Sequence, residues 1–245
     1  MITPHSQFSI LNSQLNNRYS RQTMLSQFGE EGQRKLDSTK VLLVGVGGLG
    51  SPIALYLTGA GIGRIGLVDA DVVSETNLQR QVLYKENEIG QLKVECAKKR
   101  LLELNSNIQI DCYPCRFDKE NGEKIASQYD LIIDGCDNFA TRYLMDDVSY
   151  QLNIPYIYGS IGEFHGQVSV FNCKNGSRYR DLYPEGDATF VDEPTIKGVL
   201  GPVPGVIGTL QAIEAIKVIT GIGEPLRNRL LTIDLLTMEI HDLEI

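Results

Sequence analysis

The feature that most constrains the fold of this chain is a glycine-rich turn that directly follows an apolar run. Residues 41–44 are all branched and apolar, and Gly45, Gly47 and Gly50 follow them with the spacing G-x-G-x-x-G. A helical pattern then begins at Leu49. A buried parallel strand, a glycine turn and a helix in this order are typical of a nucleotide site, where helix N-terminal amides face an anion. Alone, the motif fits any dinucleotide-binding Rossmann domain.

Apolar runs and helical patterns alternate along most of the chain, which predicts an α/β fold. Strands are predicted at 64–69, 108–113 and 131–134, and helices at 90–104 and 138–152. Residues 166–171 then alternate polar and apolar, and a helix at 206–220 precedes short strands at 230–234 and 238–242. The prediction is a Rossmann-like, mostly parallel sheet with an antiparallel C-terminal extension and helices on both faces.

Length and composition predict one large domain. The 245 residues are 42% hydrophobic and 22% charged, which is typical of a soluble globular protein. We expect a flexible arm at 1–17, a single domain at 18–245, and a crossing loop at about 181–204. The net charge of −8 argues against a nucleic-acid partner. No apolar run approaches about 18 residues, so no membrane span is predicted. Five cysteines, an odd number, indicate a reducing compartment, and the cytoplasm is expected.

Acidic residues follow two of the predicted strands. Asp69 ends the strand at 64–69, where a carboxylate is placed to accept hydrogen bonds from ribose hydroxyls. Asp137 follows the strand at 131–134, and Asn138 starts the next helix. Ligands of open parallel sheets bind beyond the carboxyl ends of the strands, so Gly45, Asp69 and Asp137 converge on one edge. A carboxylate beside nucleotide phosphates is a typical Mg²⁺ site.

Three further side chains are suited to phosphate. Asn77 and Arg80 are three residues apart and share a face on a helical turn, where an amide and a guanidinium suit a polyphosphate. Lys93 lies in the first turn of a predicted helix, which costs a few tenths of a kcal/mol against the helix dipole unless an anion is near. A plain solvent-facing lysine is an equally open interpretation.

Taken together, these residues resemble the ThiF/MoeB/HesA family, the bacterial relatives of ubiquitin-activating enzymes. The resemblance runs from about Arg18 to the C-terminus. The matching pieces are residues 18–22 (Arg-Tyr-Ser-Arg-Gln), the Gly45–Gly50 turn, Asp69, residues 77–81 (Asn-Leu-Gln-Arg-Gln), Lys93, Asp137-Asn138 with Arg142, and residues 205–212.

The resemblance implies that ATP and Mg²⁺ are used to adenylate the C-terminal glycine of a ubiquitin-fold sulfur carrier ending in Gly-Gly, with release of pyrophosphate. It implies nucleotide contacts at Gly45, Gly47, Gly48, Gly50, Asp69, Asp71, Asn77, Arg80, Gln81, Lys93, Asp137 and Asn138. Catalytic roles fall on Arg21, Arg80, Lys93 and Asp137, with Asp137 as the magnesium ligand. Arg21 resembles an arginine that reaches across a homodimer into the partner's ATP, so a homodimer is expected.

The cysteine pattern departs from many members of the family, which hold a structural zinc with two C-x-x-C pairs. The first pair would fall near 179–182, which has no cysteine, and the chain reaches Ile245 without a second. We therefore expect no zinc. No cysteine follows Cys173, so a covalent step on the crossing loop is not expected and a separate protein would donate sulfur. The pair Cys112 and Cys115 could be redox-active or half of a zinc site, but ordinary thiols are favoured.

Other functions stay open from the sequence alone. A member of the same superfamily could adenylate a different target, such as a tRNA base or a peptide. An NAD(P)-dependent oxidoreductase is disfavoured because Asn77, Lys93 and Asp137 serve no purpose in hydride transfer. A non-catalytic module that kept the ATP fold is disfavoured by the intact Arg21, Arg80, Lys93 and Asp137. The pathway, thiamine or molybdopterin, stays undecided, with a slight preference for thiamine on overall resemblance.

Overall fold

A computed structural model describes residues 18–184 and 198–245 of the chain. The strands of these residues are β1 (Lys40–Val44), β2 (Arg64–Val68), β3 (Gln109–Tyr113), β4 (Leu131–Asp134), β5 (Tyr156–Ile161), β6 (His165–Phe171), β7 (Arg229–Asp234) and β8 (Glu239–Glu244). They form one sheet in the order β3-β2-β1-β4-β5-β6-β7-β8. The five strands from β3 to β5 are parallel, and β6, β7 and β8 are antiparallel. The predicted mixed sheet is confirmed.

Helices cover both faces of the sheet, as predicted. Residues 18–23 are helical, and the further helices are α1 (Gly29–Ser38), α2 (Gly50–Ala60), α3 (Lys93–Leu104), α4 (Gly122–Ala126), α5 (Phe139–Leu152), α6 (Tyr179–Leu182) and α7 (Pro202–Thr220). Residues of α1, α2, α3 and α7 share one hydrophobic cluster. Residues of α4, α5 and α6 share a second cluster. Successive residues of β1 alternate between the two clusters, which explains the unbroken apolar run at 41–44.

The predicted crossing loop at 181–204 is wrong at both ends. Its first two residues belong to α6, and its last three belong to α7, which begins at Pro202 instead of 206. Proline is tolerated in the first turn of a helix because the missing N–H would have no intrahelical partner there. Residues 185–197, like the predicted arm at 1–17, lie outside the described residues. The helix predicted from Gly90 begins only at Lys93, because Gly90 occupies a left-handed turn with φ +86°.

Helix α7 is apolar enough to look like a membrane span. Its 19 residues reach a mean hydropathy of 1.3 over an 18-residue window, so the expectation that no apolar run has this length is wrong. Half of that window is buried inside the protein, and the helix packs against α2, β5 and β6. These contacts account for its composition as that of a core helix.

Candidate nucleotide-binding site

The glycine turn after β1 is built by close backbone approach. Gly45 has φ +90°, and a Cβ atom on it would lie 2.5 Å from the carbonyl oxygen of Gly135, just beyond β4. A Cβ atom on Gly50 would lie 2.3 Å from the carbonyl oxygen of Gly45, so α2 starts in contact with the turn. Only glycine fits these two positions. The turn after β1 and the turn after β4 therefore touch, as the convergence of strand ends predicts.

Asp69 is bound to the same turn from the side of β2. Its Oδ2 accepts the backbone N–H of Val46 at 2.8 Å, and its Oδ1 accepts the backbone N–H of Asp71 at 2.8 Å. Burial raises the pKa of Asp69, although these two N–H groups and the charge of Lys93 act in the opposite direction. The carboxylate is thus held beside the glycine turn, where a ribose is expected.

Lys93 is buried and paired, which rules out the solvent-facing interpretation. Its side chain is 5% exposed, and its Nζ lies 2.9 Å from Oδ2 of Asp71, whose side chain is 71% exposed. The anion that compensates a lysine at the start of α3 is therefore a carboxylate of the protein. A phosphate reaching Lys93 would compete with Asp71 for the ammonium group.

Arg80 and Gln81 lie against the glycine turn. A Cβ atom on Gly48 would lie 3.7 Å from Cδ of Arg80, and one on Gly47 would lie 3.3 Å from Nε2 of Gln81. Both residues follow the 3₁₀ helix Glu75–Asn77, and their backbone N–H groups donate to the carbonyl of Asn77 at 3.0 and 2.9 Å. Gln81 is 5% exposed, and its Oε1 has no hydrogen-bond partner among the described residues. Gln81 is therefore a buried amide whose Nε2 faces the glycine turn.

Asp137 and Asn138 have different surroundings. Asp137 is exposed, two residues beyond the Gly135 that touches Gly45. Asn138 caps α5, as its predicted position at the helix start requires: its Oδ1 accepts the backbone N–H of Thr141 at 2.9 Å. Its Nδ2 lies 3.4 Å from Oδ1 of Asp137. A direct contact of Asn138 with the nucleotide stays a prediction.

Arg21 is not brought to the other predicted site residues. It is exposed in the helical segment 18–23, and the neighbouring Gln22 donates through Nε2 to the carbonyl of Ala60 at 2.8 Å. Ala60 ends α2, whose first residue, Gly50, belongs to the glycine turn. A helix of this length spans about 16 Å. Arg21 therefore lies at the far end of α2 from the glycine turn of its own chain.

Two residues near the turn were not found by sequence reasoning. The hydroxyl of Tyr84 donates to the carbonyl of Val46 at 2.6 Å. Pro204, in the first turn of α7, would lie 3.1 Å from a Cβ atom on Gly48. Tyr84 carries no distinguishing signal in the sequence, because it ends a short apolar run, 82–84, that fits many environments. Pro204 was assigned to the crossing loop, which hid its contact.

The C-x-x-C pair does not assemble a site. Cys112 packs against the first hydrophobic cluster and Cys115 against the second. Burial raises the pKa of both thiols, to about 11 for Cys112, so neither is an activated thiolate. All five cysteines are free, and residues 18–184 and 198–245 contain no cluster of three or more metal-ligating side chains. The interpretation as ordinary thiols is supported.

A parallel sheet with a glycine turn after β1, a carboxylate after β2 and another after β4 defines an α/β nucleotide-binding domain. The comparisons name its family. The chain belongs to the ThiF family, which it matches over residues 19–245.

The relatives carry related names. A "Sulfur carrier protein adenylyltransferase" of Thermus thermophilus is 43% identical over 234 residues, which cover 93% of this chain and 86% of that protein. A "Probable molybdopterin-synthase adenylyltransferase" of Porphyra purpurea is 44% identical over 230 residues, covering 93% of this chain and 60% of that protein. Four such relatives are longer, and the chain spans 48% to 61% of their length. Among solved structures, E. coli MccB with ATP superimposes with a TM-score of 0.83 at 27% identity, over 94% of this chain and 71% of MccB.

Proposed function

We propose that this protein is an ATP-dependent adenylyltransferase that activates the C-terminal glycine of a ubiquitin-fold sulfur carrier. The observation that carries the proposal is the contact between the turns after β1 and β4, where a Cβ atom on Gly45 would lie 2.5 Å from the carbonyl oxygen of Gly135. That contact places the glycine turn and Asp69 at the same edge as Asp137. The sulfur-carrier and molybdopterin-synthase adenylyltransferases among the relatives support the same reaction.

The reaction needs positioning more than a reactive side chain. A carboxylate oxygen of the carrier attacks the α-phosphorus of ATP, the bond to the bridging oxygen breaks, and pyrophosphate leaves with its electron pair. The protein has to orient two anions and neutralise charge that develops on the leaving group. Lys93 and Arg80 provide the cations for this role, and Asn77 provides an amide. Gln81, whose Nε2 would lie 3.3 Å from a Cβ atom on Gly47, provides a second amide at the glycine turn.

Asp137 fits a magnesium ion. It is an exposed carboxylate beside the glycine turn, and Mg²⁺ is usually held by one or two carboxylates together with substrate phosphates and water. The ion, when bound, neutralises phosphate charge. Asp137 would hold it against the phosphates that the glycine turn orients.

The position of Arg21 supports a homodimer. Because Arg21 lies at the far end of α2, it can act on a nucleotide only in the site of a second copy. Large apolar side chains are exposed at this end of the molecule or on α2, with Met24 72%, Leu25 59% and Tyr56 58% exposed. Exposed apolar side chains of this size are available to an interface. A monomer mass in gel filtration would contradict this part of the proposal.

The partners follow from the same reaction. The carrier would be of the ThiS or MoaD type, and the names of the relatives lend support to the molybdopterin pathway rather than to the slight thiamine preference. A separate sulfur donor is proposed, because the predicted crossing loop at 181–204 contains no cysteine that could carry the sulfur. Function in the cytoplasm, without a nucleic-acid or membrane partner, remains part of the proposal.

A second candidate target is a peptide. E. coli MccB has been solved in complex with N-formylated MccA, and this chain superimposes on it with a TM-score of 0.85 at 26% identity. Three relatives with identities above 40% are instead named for a sulfur carrier or for molybdopterin synthase, which favours the carrier.

ATP–pyrophosphate exchange tests the proposal. The full chain receives Mg²⁺ and, in parallel, a thiamine-type carrier, a molybdopterin-type carrier, and each carrier without its Gly-Gly end. We expect exchange with one intact carrier and none with its truncated form. ATP binding without exchange for either carrier would mean that the target is another molecule. A stronger thermal shift with NAD(P) than with ATP would favour an oxidoreductase.

A further inference from the structure

The turn that carries Asp137 follows Asp134, the last residue of β4, whose carboxylate is completely buried. Its Oδ1 accepts the backbone N–H of Cys136 at 2.9 Å. Its Oδ2 accepts Nε–H of Arg142 at 3.1 Å and the hydroxyl of Tyr156 at 2.9 Å. Every described contact of this carboxylate therefore holds either the turn that follows β4 or the elements packed beside it.

Arg142 holds the same turn at a second point. It comes from α5, and its Nη2 donates to the carbonyl oxygen of Cys136 at 3.0 Å. The guanidinium is nearly buried, and its Cζ lies 5.8 Å from the ring centre of Tyr158. One planar cation thus binds the residue at the base of the turn and the residue immediately before Asp137. A guanidinium that donates to two separate acceptors fixes their relative orientation as well as their distance.

Gln211 holds Asp134 from the opposite face of the sheet. It comes from α7, and its Nε2 donates to the backbone carbonyl of Asp134 at 2.7 Å. A Cβ atom on Gly159 would lie 2.2 Å from Cδ of Gln211, so the amide is wedged between β5 and the end of β4. A helix on each face of the sheet therefore binds Asp134: α5 contacts its side chain, and α7 contacts its backbone carbonyl.

A second ion pair on α5 serves as a comparison, because among the described residues the side chain of its arginine binds only those of α5 and does not reach the turn that carries Asp137. Arg178 donates through Nη2 to Oδ2 of the fully buried Asp146 at 2.8 Å and to Oδ1 of Asp147 at 3.0 Å. Both acceptors lie within α5 itself, and neither belongs to the turn that carries Asp137. The additional acceptor of Arg142, a carbonyl adjacent to Asp137, is the difference between the two pairs.

We propose that Arg142 and Gln211 are positioning residues that hold the turn at 135–137 against the glycine turn, so that Asp137 is fixed for Mg²⁺ bound to nucleotide phosphates. The inference rests on the proposed function only in assigning Asp137 to the ion. Partners that orient a metal ligand govern metal affinity, and their removal typically lowers it about 10- to 100-fold. The effect is therefore confined to binding that depends on the metal.

Calorimetric titration of the full chain with ATP, with and without Mg²⁺, tests this without any carrier. In Arg142→Lys the charge is kept, but the two-point contact is lost, and in Gln211→Met the donor is lost at similar volume. We expect either variant to weaken ATP binding about 10-fold or more in Mg²⁺ and by less than about twofold in its absence. Arg178→Lys, which alters the other buried pair of α5, is the matched control and leaves both affinities unchanged.

Two results would overturn the inference: unchanged Mg²⁺-dependent affinity in both variants, or equal weakening with and without the metal. Because the two substitutions act from opposite faces, a failure of one variant to fold leaves the other as the test. Wild-type protein that binds ATP in an Mg²⁺-dependent way but exchanges no pyrophosphate with either carrier would overturn the proposed function alone.

Discussion

The start and the middle of α5 each carry an ion pair with a buried aspartate, and the two pairs serve different purposes. Near its start, Arg142 pairs with buried Asp134, and near its middle, buried Asp146 pairs with Arg178. Buried ion pairs add little net stability, because desolvation offsets their attraction. The value of each pair therefore lies in what else the arginine binds. At the start of α5 it binds the turn before Asp137, and farther along it binds only α5 and fastens α6.

The ion pairs that join α6 to α5 lie in the segment near 179–182, where the family resemblance led us to look for the first cysteine pair of a zinc site. Arg178, whose backbone N–H donates to Oδ2 of Asp181 at 2.7 Å, precedes α6, and Arg180 lies inside it. Both reach α5, with Nη2 of Arg180 2.7 Å from Oδ2 of Asp147. Charged contacts thus join α6 to α5 in the segment that lacks the first cysteine pair.

The variant Asp137→Ala should show the largest difference between the two regions of α5, because it affects activity and not stability. We expect pyrophosphate exchange to fall by about 100-fold or more, because a group that neutralises charge at the reacting phosphates is lost. The side chain is exposed, so the free energy of unfolding should change by less than about 0.5 kcal/mol. Exchange assays and urea denaturation measure the two effects. Full exchange activity in the variant would remove Asp137 from the site.

Arg178→Ala should give the opposite result. Removing one partner of a buried pair costs about 3–5 kcal/mol, and the lower end applies because Arg180 still lies 3.8 Å from Asp146. For a chain of this size, a loss of about 3 kcal/mol lowers the melting temperature by roughly 6–12 °C. Calorimetry measures the shift. Exchange activity at 20 °C should be unchanged, and a comparable loss of activity would erase the distinction between the two pairs.

The raised pKa of Asp69, which is bound to the glycine turn, predicts a smaller effect, a pH dependence of nucleoside binding. Burial raises this pKa, and the ionised form is the one that accepts hydrogen bonds from ribose. Binding should therefore be complete above the raised pKa and weaken as the pH falls through it, before an ordinary aspartate would be protonated. Adenosine, which has no phosphate to titrate, is the ligand for calorimetric measurement between pH 4 and 8.

Asp69→Asn is the control for that pH profile. The variant cannot ionise, so we expect weaker binding at neutral pH and a flatter profile. An equal decline in wild type and variant would place the titration on the adenine base and contradict the role of Asp69.

The smallest expected effect is the change in melting temperature when a metal chelator is added, which tests whether α6 needs a zinc ion. Incubation with EDTA should shift the melting temperature by less than about 2 °C, because charged contacts fasten this helix. Loss of a structural zinc would remove about 10 kcal/mol or more of binding free energy and lower the melting temperature far more. Atomic emission spectroscopy of the purified protein checks the same point, and one zinc per chain would show that the prediction is wrong.

Sequence reasoning located the parts of the site that depend on local pattern. The glycine spacing and the strand-end positions of Asp69 and Asp137 follow from periodicity, because a parallel strand and its turn are encoded within about ten residues. Asn138 was predicted to start α5, and its side chain caps that helix. The side-chain oxygen of Asn138 makes the cap hydrogen bond. The identity of this one residue in the sequence cannot distinguish a capping role from a ligand-binding role.

Other features depended on residues far apart in the chain. The contact of Gln211 with the carbonyl of Asp134 joins α7 to β4, and no spacing rule connects them. Arg142 was part of the family resemblance, but its two acceptors become visible only when α5 packs beside the end of β4. Lys93 could not be assigned as buried or exposed, because its partner Asp71 lies in an irregular segment.

The pairing of β1 with β4 also has a kinetic consequence. Val41 lies opposite Leu131, ninety positions later, and the two turns that meet at Gly45 and Gly135 follow these strands. Contacts between such distant residues form only after a large loop has closed, which slows folding. We therefore expect the edge of the sheet that carries Gly45 and Gly135 to be completed late in folding, whereas the backbone hydrogen bonds within α2 and α3 are local. Recovery of ATP binding after dilution from urea should lag behind recovery of helical circular dichroism.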